Sequence, residues 1–458
     1  MKKKTVLLII LSLLLLTGHS GTLSAAGTRP VSAQSPTEIS FWHSMGGVMG
    51  VTLEGIVQNF NDTVGAEKGI SIKTVYQGKN LELAKKLKAA VQANDTDSMP
   101  DLTLMSSGET GYMLNLEIAV KAEDIFNDNL IGLSQDDFLP GAVKALSYQD
   151  KAVGLPFAPS SLVMYYNRDA FIAADLDPDT PPKTIAELAE VSKKLTIEEN
   201  GQISQYGFGL VMDSWHMASW IGQQNHDGNG YSLFGDNDNG HADQMTKVVF
   251  DENGTMQHFL EIYTAAAKEG NFKYKDDDLV NNFIAGNVTI TLHSSSMLPG
   301  LLKDTAGNFE LGVAAIPMVD ENSTGGVSFG GSAIYPMNLG DENNFNAALE
   351  FLKFFYLPEQ QVTWQAGSGY LPAVKSAFES EAYKSFVAEN PFYNVAPAQV
   401  LASNPNIQEP MVGVGTTILV ILKDGIAEVL DGNMSIEEGV AEMADQCNIA
   451  IEEYNDAN

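Results

Sequence analysis

Trp42, His43, Ser44, Gly46 and Gly47 fall within one short stretch, FWHSMGG. Together they offer an aromatic face, an imidazole, a hydroxyl and open backbone N–H groups to a bound molecule. These types suit recognition more than bond-making, because aromatic faces stack on the C–H faces of sugars while hydroxyls, amides and glycine N–H groups satisfy ligand hydroxyls. Of the four tryptophans, Trp42 and Trp220 flank polar turns and are the stacking candidates; Trp215 and Trp364 complete the set. Hydrolytic chemistry has one signal, the G-x-S-x-G spacing of Gly326, Ser328 and Gly330. That pattern carries a nucleophile only on a sharp strand-to-helix turn, with an acid and a histidine following. Prolines and β-like residues follow Gly330, no histidine lies beyond His293, and the triad order fails. Acidic residues abound without a marked pair for glycoside hydrolysis, and no reactive thiolate, zinc spacing or phosphate loop is present. No catalytic residue, metal or cofactor is expected.

The elements that must position these residues follow from periodicity. Ile39 and Phe41 alternate as in a strand, and Met49, Leu53, Ile56, Val57 and Phe60 share one helix face. A turn from a strand end into a helix N-terminus presents free N–H groups above a sheet. Gly69 to Gly78 is a second strand, Leu83, Leu87, Ala90 and Val91 mark a second helix, and Asp101 to Met105 is a third strand. Such alternation predicts a parallel sheet covered by helices, with ligands beyond its C-terminal strand ends. The turns Trp42 to Gly47, Gly78 to Asn80 and Ser106 to Glu109 then share one edge. Gly154 to Asn167 is apolar and extended, with Pro156 and Pro159, and is long enough to leave one lobe and enter another. Thr184 with Glu187 makes a capping box, as do Ser435 and Glu438. Gly207 to Met212, Gly286 to Leu292 and Leu311 to Pro317 are read as strands. The acidic loop 236–243 only partly resembles a calcium loop, lacking the required glycine and glutamate, and is expected to be solvated, like Asp276 to Asp278. Cys447 lies on the stripe Ile436, Val440, Met443, Ile451 and is expected in the core.

Lysines at 2 to 4, an apolar run to Leu16 and small residues at Ser24, Ala25 and Ala26 predict a signal peptide over residues 1–26, with a cut as late as 33. His19 stands where lipidation needs a cysteine, so an exported chain without a lipid anchor is expected, periplasmic or at the extracellular face of the cytoplasmic membrane. No other run approaches the roughly 18 apolar residues of a membrane span. A single cysteine excludes an intramolecular disulfide. The formal net charge of −32 opposes nucleic acid and anionic membranes as partners. Arginine occurs only at Arg29 and Arg168. An anionic ligand would therefore rely on lysines, hydroxyls and N–H groups in place of planar bidentate forks, which favours a neutral one.

The segments FWHSMGG (41 to 47), LPFAPSSLVMYYN (155 to 167), DLDPDTPPKT (175 to 184), GGS (330 to 332) and GSGYLPAV (367 to 374) resemble the bacterial extracellular solute-binding proteins of ABC importers, the sugar-binding family that includes the glycerol-3-phosphate-binding protein. The resemblance runs from about residue 38 to the C-terminus. It implies an α/β, two-lobe periplasmic-binding-protein fold of type II, with a ligand cleft between lobes joined by three crossovers. These are expected near 158–161, 292–296 and 331–335, with 38–157 plus 297–331 as the first lobe and 161–292 plus 336–458 as the second. Carried over, the glycerol-3-phosphate site implies Ser160, Ser294, Gly331 and Tyr370, which match in type. The family's tyrosine position is Asn80 here, its glutamate falls at Ser107 with Glu109 close by, and its phosphate-contacting arginine aligns near Leu419. The ligand-binding set expected is thus Trp42, His43, Asn80, Ser107, Glu109, Ser160, Trp220, Ser294, Gly331 and Tyr370. The implied function is capture of a neutral carbohydrate and delivery to permease subunits, by a monomer. Glycerol-3-phosphate or a glycerophosphodiester is the alternative ligand, and an exported carbohydrate-active enzyme the reading from a different class.

Overall fold

The alternation at Ile39 and Phe41 builds strand β1, Thr37–His43, which buries Ile39, Phe41 and His43 on one face. In the computed structural model, residues 36–225, 230–276 and 278–457 are described; the expected signal peptide lies outside them. Helix α1, Gly47–Phe60, follows and buries Leu53, Ile56, Val57 and Phe60. Strand β2, Ile70–Tyr76, helix α2, Asn80–Ala93, and strand β3, Leu102–Ser106, complete the expected alternation. Strand β1 pairs in parallel with β2 and β3. Two further strands join this sheet, β4, Leu155–Ser160, and, much later in the chain, Gly330–Pro336. The latter runs antiparallel to both β3 and β4, so β1, β2, β3 and β4 all end at the edge where it begins. Behind them Phe41, Phe157, Phe351 and Trp364 form part of one buried core, with Phe157 stacked on Phe355 at 4.0 Å.

Strand β5, Leu162–Asn167, starts after a single intervening residue and belongs to a different sheet. It is the wholly buried centre strand, antiparallel to β6, Ile290–Ser294, and to β7, Leu311–Ala314. The late strand of the first sheet, Gly330–Pro336, is β8. Gly207 to Met212, expected as a strand, makes only isolated bridges, including Gly209 to Thr291 parallel to β6. A second core with Tyr165, Trp220, Phe259, Met443 and Cys447 lies on this sheet. Burial pushes the Cys447 thiol up to about 12, as befits a packed hydrophobe. The Ser435 box forms in full, with Ser435 Oγ accepting from the Glu438 N–H at 3.2 Å and Glu438 accepting from the Ser435 N–H at 3.0 Å; at Thr184 only half forms, since Thr184 Oγ1 accepts from the Glu187 N–H at 3.2 Å while Glu187 accepts from the Lys183 N–H at 2.7 Å.

The apportioning of segments differs from expectation. Residues 292–296 are not a crossing: β6 and β7 both pair with β5, and Leu298 and Leu301 lie in the second core. The stretch 297–329 therefore belongs with the second lobe, and the chain returns to the first sheet at Gly330. Helices α3, Glu342–Phe355, and α4, Pro358–Ser368, assigned to the second lobe, bury Phe351, Phe355 and Trp364 in the first core. A third passage runs between Ala377 of the first core and Tyr393 of the second. The physical reason is that an apolar run announces a buried strand without naming its partner; pairing is decided by which neighbour buries both faces.

The acidic loop is tied into the fold. Asp236 accepts from the Thr246 N–H at 2.8 Å, Asp238 pairs with Lys144 at 2.7 Å, and Asp276 pairs with Lys273 at 3.1 Å. Arg168 holds Asp179 at 2.7 Å and Glu310 at 2.9 Å, pinning the proline-rich loop and the approach to β7 onto the end of β5. Its acids are largely exposed, so Arg168→Ala should cost about 1–2 kcal/mol in denaturant melts and leave ligand affinity unchanged. A loss of affinity without loss of stability would place this arginine in the ligand's path.

Candidate functional site

The shared edge of the first sheet gathers much of the expected set. Trp42 is half-buried, facing away from Phe41 and His43. His43 is buried, and burial lowers its imidazole to about 4 against an opposing hydrogen bond with the Met45 backbone. Its ring is neutral at physiological pH, sits 5.9 Å from Tyr76, and leaves Nδ1 without a partner. Ser44 Oγ donates to Asn80 Oδ1 at 2.6 Å, linking the turns after β1 and β2. Beyond β3, the Ser107 carbonyl accepts from Thr110 Oγ1 at 2.7 Å. Glu109 pairs with Lys88 at 2.8 Å, and that lysine lies 4.7 Å above the Tyr112 ring.

Where the chain passes between the sheets, Gly330 pairs with Ser160 and Gly331 with Pro159. Gly331 adopts φ +119°, and a Cβ there would lie 2.0 Å from the Ala158 carbonyl oxygen, so no other residue fits this strand end. The Leu371 N–H donates to the Pro159 carbonyl at 2.8 Å, and the Ser295 N–H to the Ser161 carbonyl at 2.8 Å. Tyr370 stacks on Trp364 at 5.8 Å with 6° between the rings. Burial raises its phenol, opposed by a hydrogen bond with Ser296. Ser294 Oγ is 2.9 Å from Ser296 Oγ. Ser160, Ser294, Gly331 and Tyr370 are thus brought together by these passages.

The second lobe adds residues that sequence reasoning passed over. Asp213 caps the helix Ser214–Gly222, accepting from the His216 N–H at 3.0 Å. A cavity of about 250 Å³ is lined by Asp213, Trp215, His216, His293 and Ser294 among others. Trp215 is half-buried; its Nε1–H donates to the Ser328 carbonyl at 3.1 Å, and a methyl on Gly330 would come within 2.7 Å of its indole. It therefore links the second-lobe cavity to the strand that returns to the first sheet. Trp220, the expected stacking residue, is 1% exposed, donates Nε1–H to the Pro317 carbonyl at 2.9 Å and stacks on Phe259. No face is left for a ligand, which corrects that expectation. Five residues turn a helix by about 140° beyond a full circle, so one tryptophan faces the cavity and the other the core; helical phase from the Asp213 cap was the signal available. Ser328 of the hydrolase-like spacing is fully buried with its Oγ 2.9 Å from Ser219 Oγ.

Two α/β lobes, three passages between them and polar groups at the facing sheet edges define a periplasmic-binding-protein fold of type II. Residues 55–391 match the family described as bacterial extracellular solute-binding protein, and the chain belongs to that family. It is a solute-binding protein of an ABC-type importer, not an enzyme. It is similar to the sn-glycerol-3-phosphate-binding periplasmic protein UgpB of Yersinia pestis, 28% identical over 388 residues covering 82% of this chain and 83% of that one. Its fold matches UgpB from Mycobacterium tuberculosis in complex with glycerophosphocholine, with TM-score 0.73, 20% identity and coverage of 92% and 100%. It equally matches the cyclic alpha-maltosyl-1,6-maltose binding protein from Arthrobacter globiformis, with TM-score 0.72, 20% identity and coverage of 91% and 100%. Among the described residues no helix is long and apolar enough to cross a membrane.

Near the cavity, burial and then the Asp213 charge hold the Glu409 carboxyl at about 7, opposed by Ser214, whose hydroxyl donates at 3.2 Å. The folded value lies above the ordinary 4.5, so this group's contribution to stability is present in full below that value and is lost as pH rises through about 7. Glu409→Gln removes the dependence. Melts from pH 5 to 8 should show the variant gaining on the parent, by up to about 3 kcal/mol at the alkaline end; parallel curves would refute the assignment.

Proposed function

We propose that this chain captures a neutral carbohydrate, a sugar, oligosaccharide or polyol, between its lobes and delivers it to the membrane permease as an exported periplasmic monomer. The observation that carries this reading is the fate of arginine. Of the two in the sequence, Arg29 lies in or next to the expected signal peptide and Arg168 is spent on Asp179 and Glu310. The facing edges instead hold indole, imidazole, hydroxyl, amide and carboxylate groups, which suit hydroxyl-rich ligands. Trp42, His43, Asn80, Ser107, Glu109, Ser160, Ser294, Gly331 and Tyr370 remain the proposed contacts, with Trp215 taking the place of Trp220. Closure would proceed by bending at the passages around Ser161 and Gly330, and the closed form would be what the permease recognises. His19 in place of a cysteine supports release without a lipid anchor.

Glycerol-3-phosphate or a glycerophosphodiester is the second reading. It is favoured by the names of the relatives and by the type match at Ser160, Ser294, Gly331 and Tyr370. Thermal-shift screening of neutral mono- and oligosaccharides against glycerol phosphates separates the two; stabilisation by the phosphates alone would replace the first reading with the second. Tyr370→Phe keeps the stack on Trp364 and removes only the hydroxyl. Calorimetry should show affinity falling about three- to tenfold with the melting temperature nearly unchanged, whereas full affinity would remove Tyr370 from the contacts.

A further inference from the structure

The second-lobe cavity has a largely apolar wall into which Asp213, His216, His293 and two further aspartates are set, with no lysine or arginine among the described lining residues. Asp213 Oδ1 lies 2.6 Å from His216 Nδ1. That contact assigns the ring's Nδ1 hydrogen to the carboxylate and leaves Nε2 as the second functional atom. His216 is only 6% exposed, yet Nε2 has no hydrogen-bond partner. A buried polar atom left unpaired carries a desolvation cost that a ligand hydrogen bond removes. The carboxylate is more open, with the Asp213 side chain 40% exposed. His293, on the opposite strand end, accepts the Ser294 N–H on its Nδ1 at 2.8 Å. Trp215 supplies an apolar wall, and Lys273 is held by Asp276 at 3.1 Å.

Resting on the carbohydrate reading, we propose that the Asp213–His216 pair sets ligand selectivity from the second lobe, accepting hydroxyl hydrogens of a sugar unit in this cavity and rejecting anionic substituents. The Asp213 carboxylate oxygens are acceptors, so a polyhydroxyl group satisfies them. A phosphate, having only acceptors to offer, meets like charge and unpaired lone pairs there. Specificity built this way discriminates strongly, because the wrong ligand leaves buried polar groups without partners.

Asp213→Asn tests the pair without removing the helix cap, since asparagine caps as well as aspartate. It halves the acceptor capacity and cancels the charge. His216→Gln is the companion variant, placing an amide where the imidazole stood. Affinities of the parent and both variants are measured by calorimetry on the secreted mature chain, for the neutral sugars that stabilise it and for glycerol-3-phosphate and glycerophosphocholine. The expected result is at least a tenfold fall in sugar affinity for Asp213→Asn with phosphate-ester binding unchanged or stronger, and a smaller shift in the same direction for His216→Gln. Equal loss for every ligand would assign the pair a structural role and overturn the inference, and so would unchanged sugar affinity in both variants. A parent that binds phosphate esters and no sugar overturns the carbohydrate reading itself. Binding of no ligand in the panel overturns both.

Discussion

Everything in this molecule hangs on two strand ends that lie side by side with no room between them. Ser160 ends β4 opposite Gly330, and Gly331 sits so close to the Ala158 carbonyl that a Cβ would fall 2.0 Å away. On one side of this contact the chain belongs to the five-stranded sheet, and within two residues it belongs to the other. The first passage and the return thus run through paired backbone, with a separate core on each side. The same closeness puts Ser160 and Gly331 at the floor of the space between the lobes, with Tyr370 held there by its stack on Trp364.

The first passage was legible in local chemistry, while Ser160, Gly331 and Tyr370 were expected only through the family resemblance. Two prolines in an apolar extended run marked the first passage, and the resemblance supplied the return near 331–335. The edge formed by Trp42 to Gly47, Gly78 to Asn80 and Ser106 to Glu109 was legible as well, since alternating strands and helices force parallel strand ends to one side. The allotment of segments to lobes was not. Ile290–Ser294 and Leu311–Ala314 look alike as short apolar strands, and only their antiparallel pairing with β5 shows that both belong to the second lobe. Partner choice is a long-range property, absent from any window of sequence. The tryptophans fail differently: Trp215 and Trp220 share a helix, and their opposite fates depend on a phase set by the Asp213 cap.

The distribution of positive charge connects fold to ligand. Lys88, Lys144 and Lys273 each sit against a carboxylate, and Arg168 is clamped between two. In a chain with net charge −32, each of these cations offsets a neighbouring acid. Long-range repulsion alone would not decide specificity, because at physiological salt it fades over about 8 Å. The lining of the cavity acts inside that distance.

Glu409 acts as a gauge of the potential there. A carboxyl beside an arginine is drawn below its ordinary value; this one is held up to about 7, by burial first and by Asp213 second. Burial accounts for most of that rise, and the neighbouring Asp213 charge adds to it. A dianionic phosphate brought to the same wall would meet the Asp213 charge without a proton to relieve it. On the proposed carbohydrate reading, a hydroxyl-rich ligand would carry hydrogens to the Asp213 carboxylate acceptors already in place.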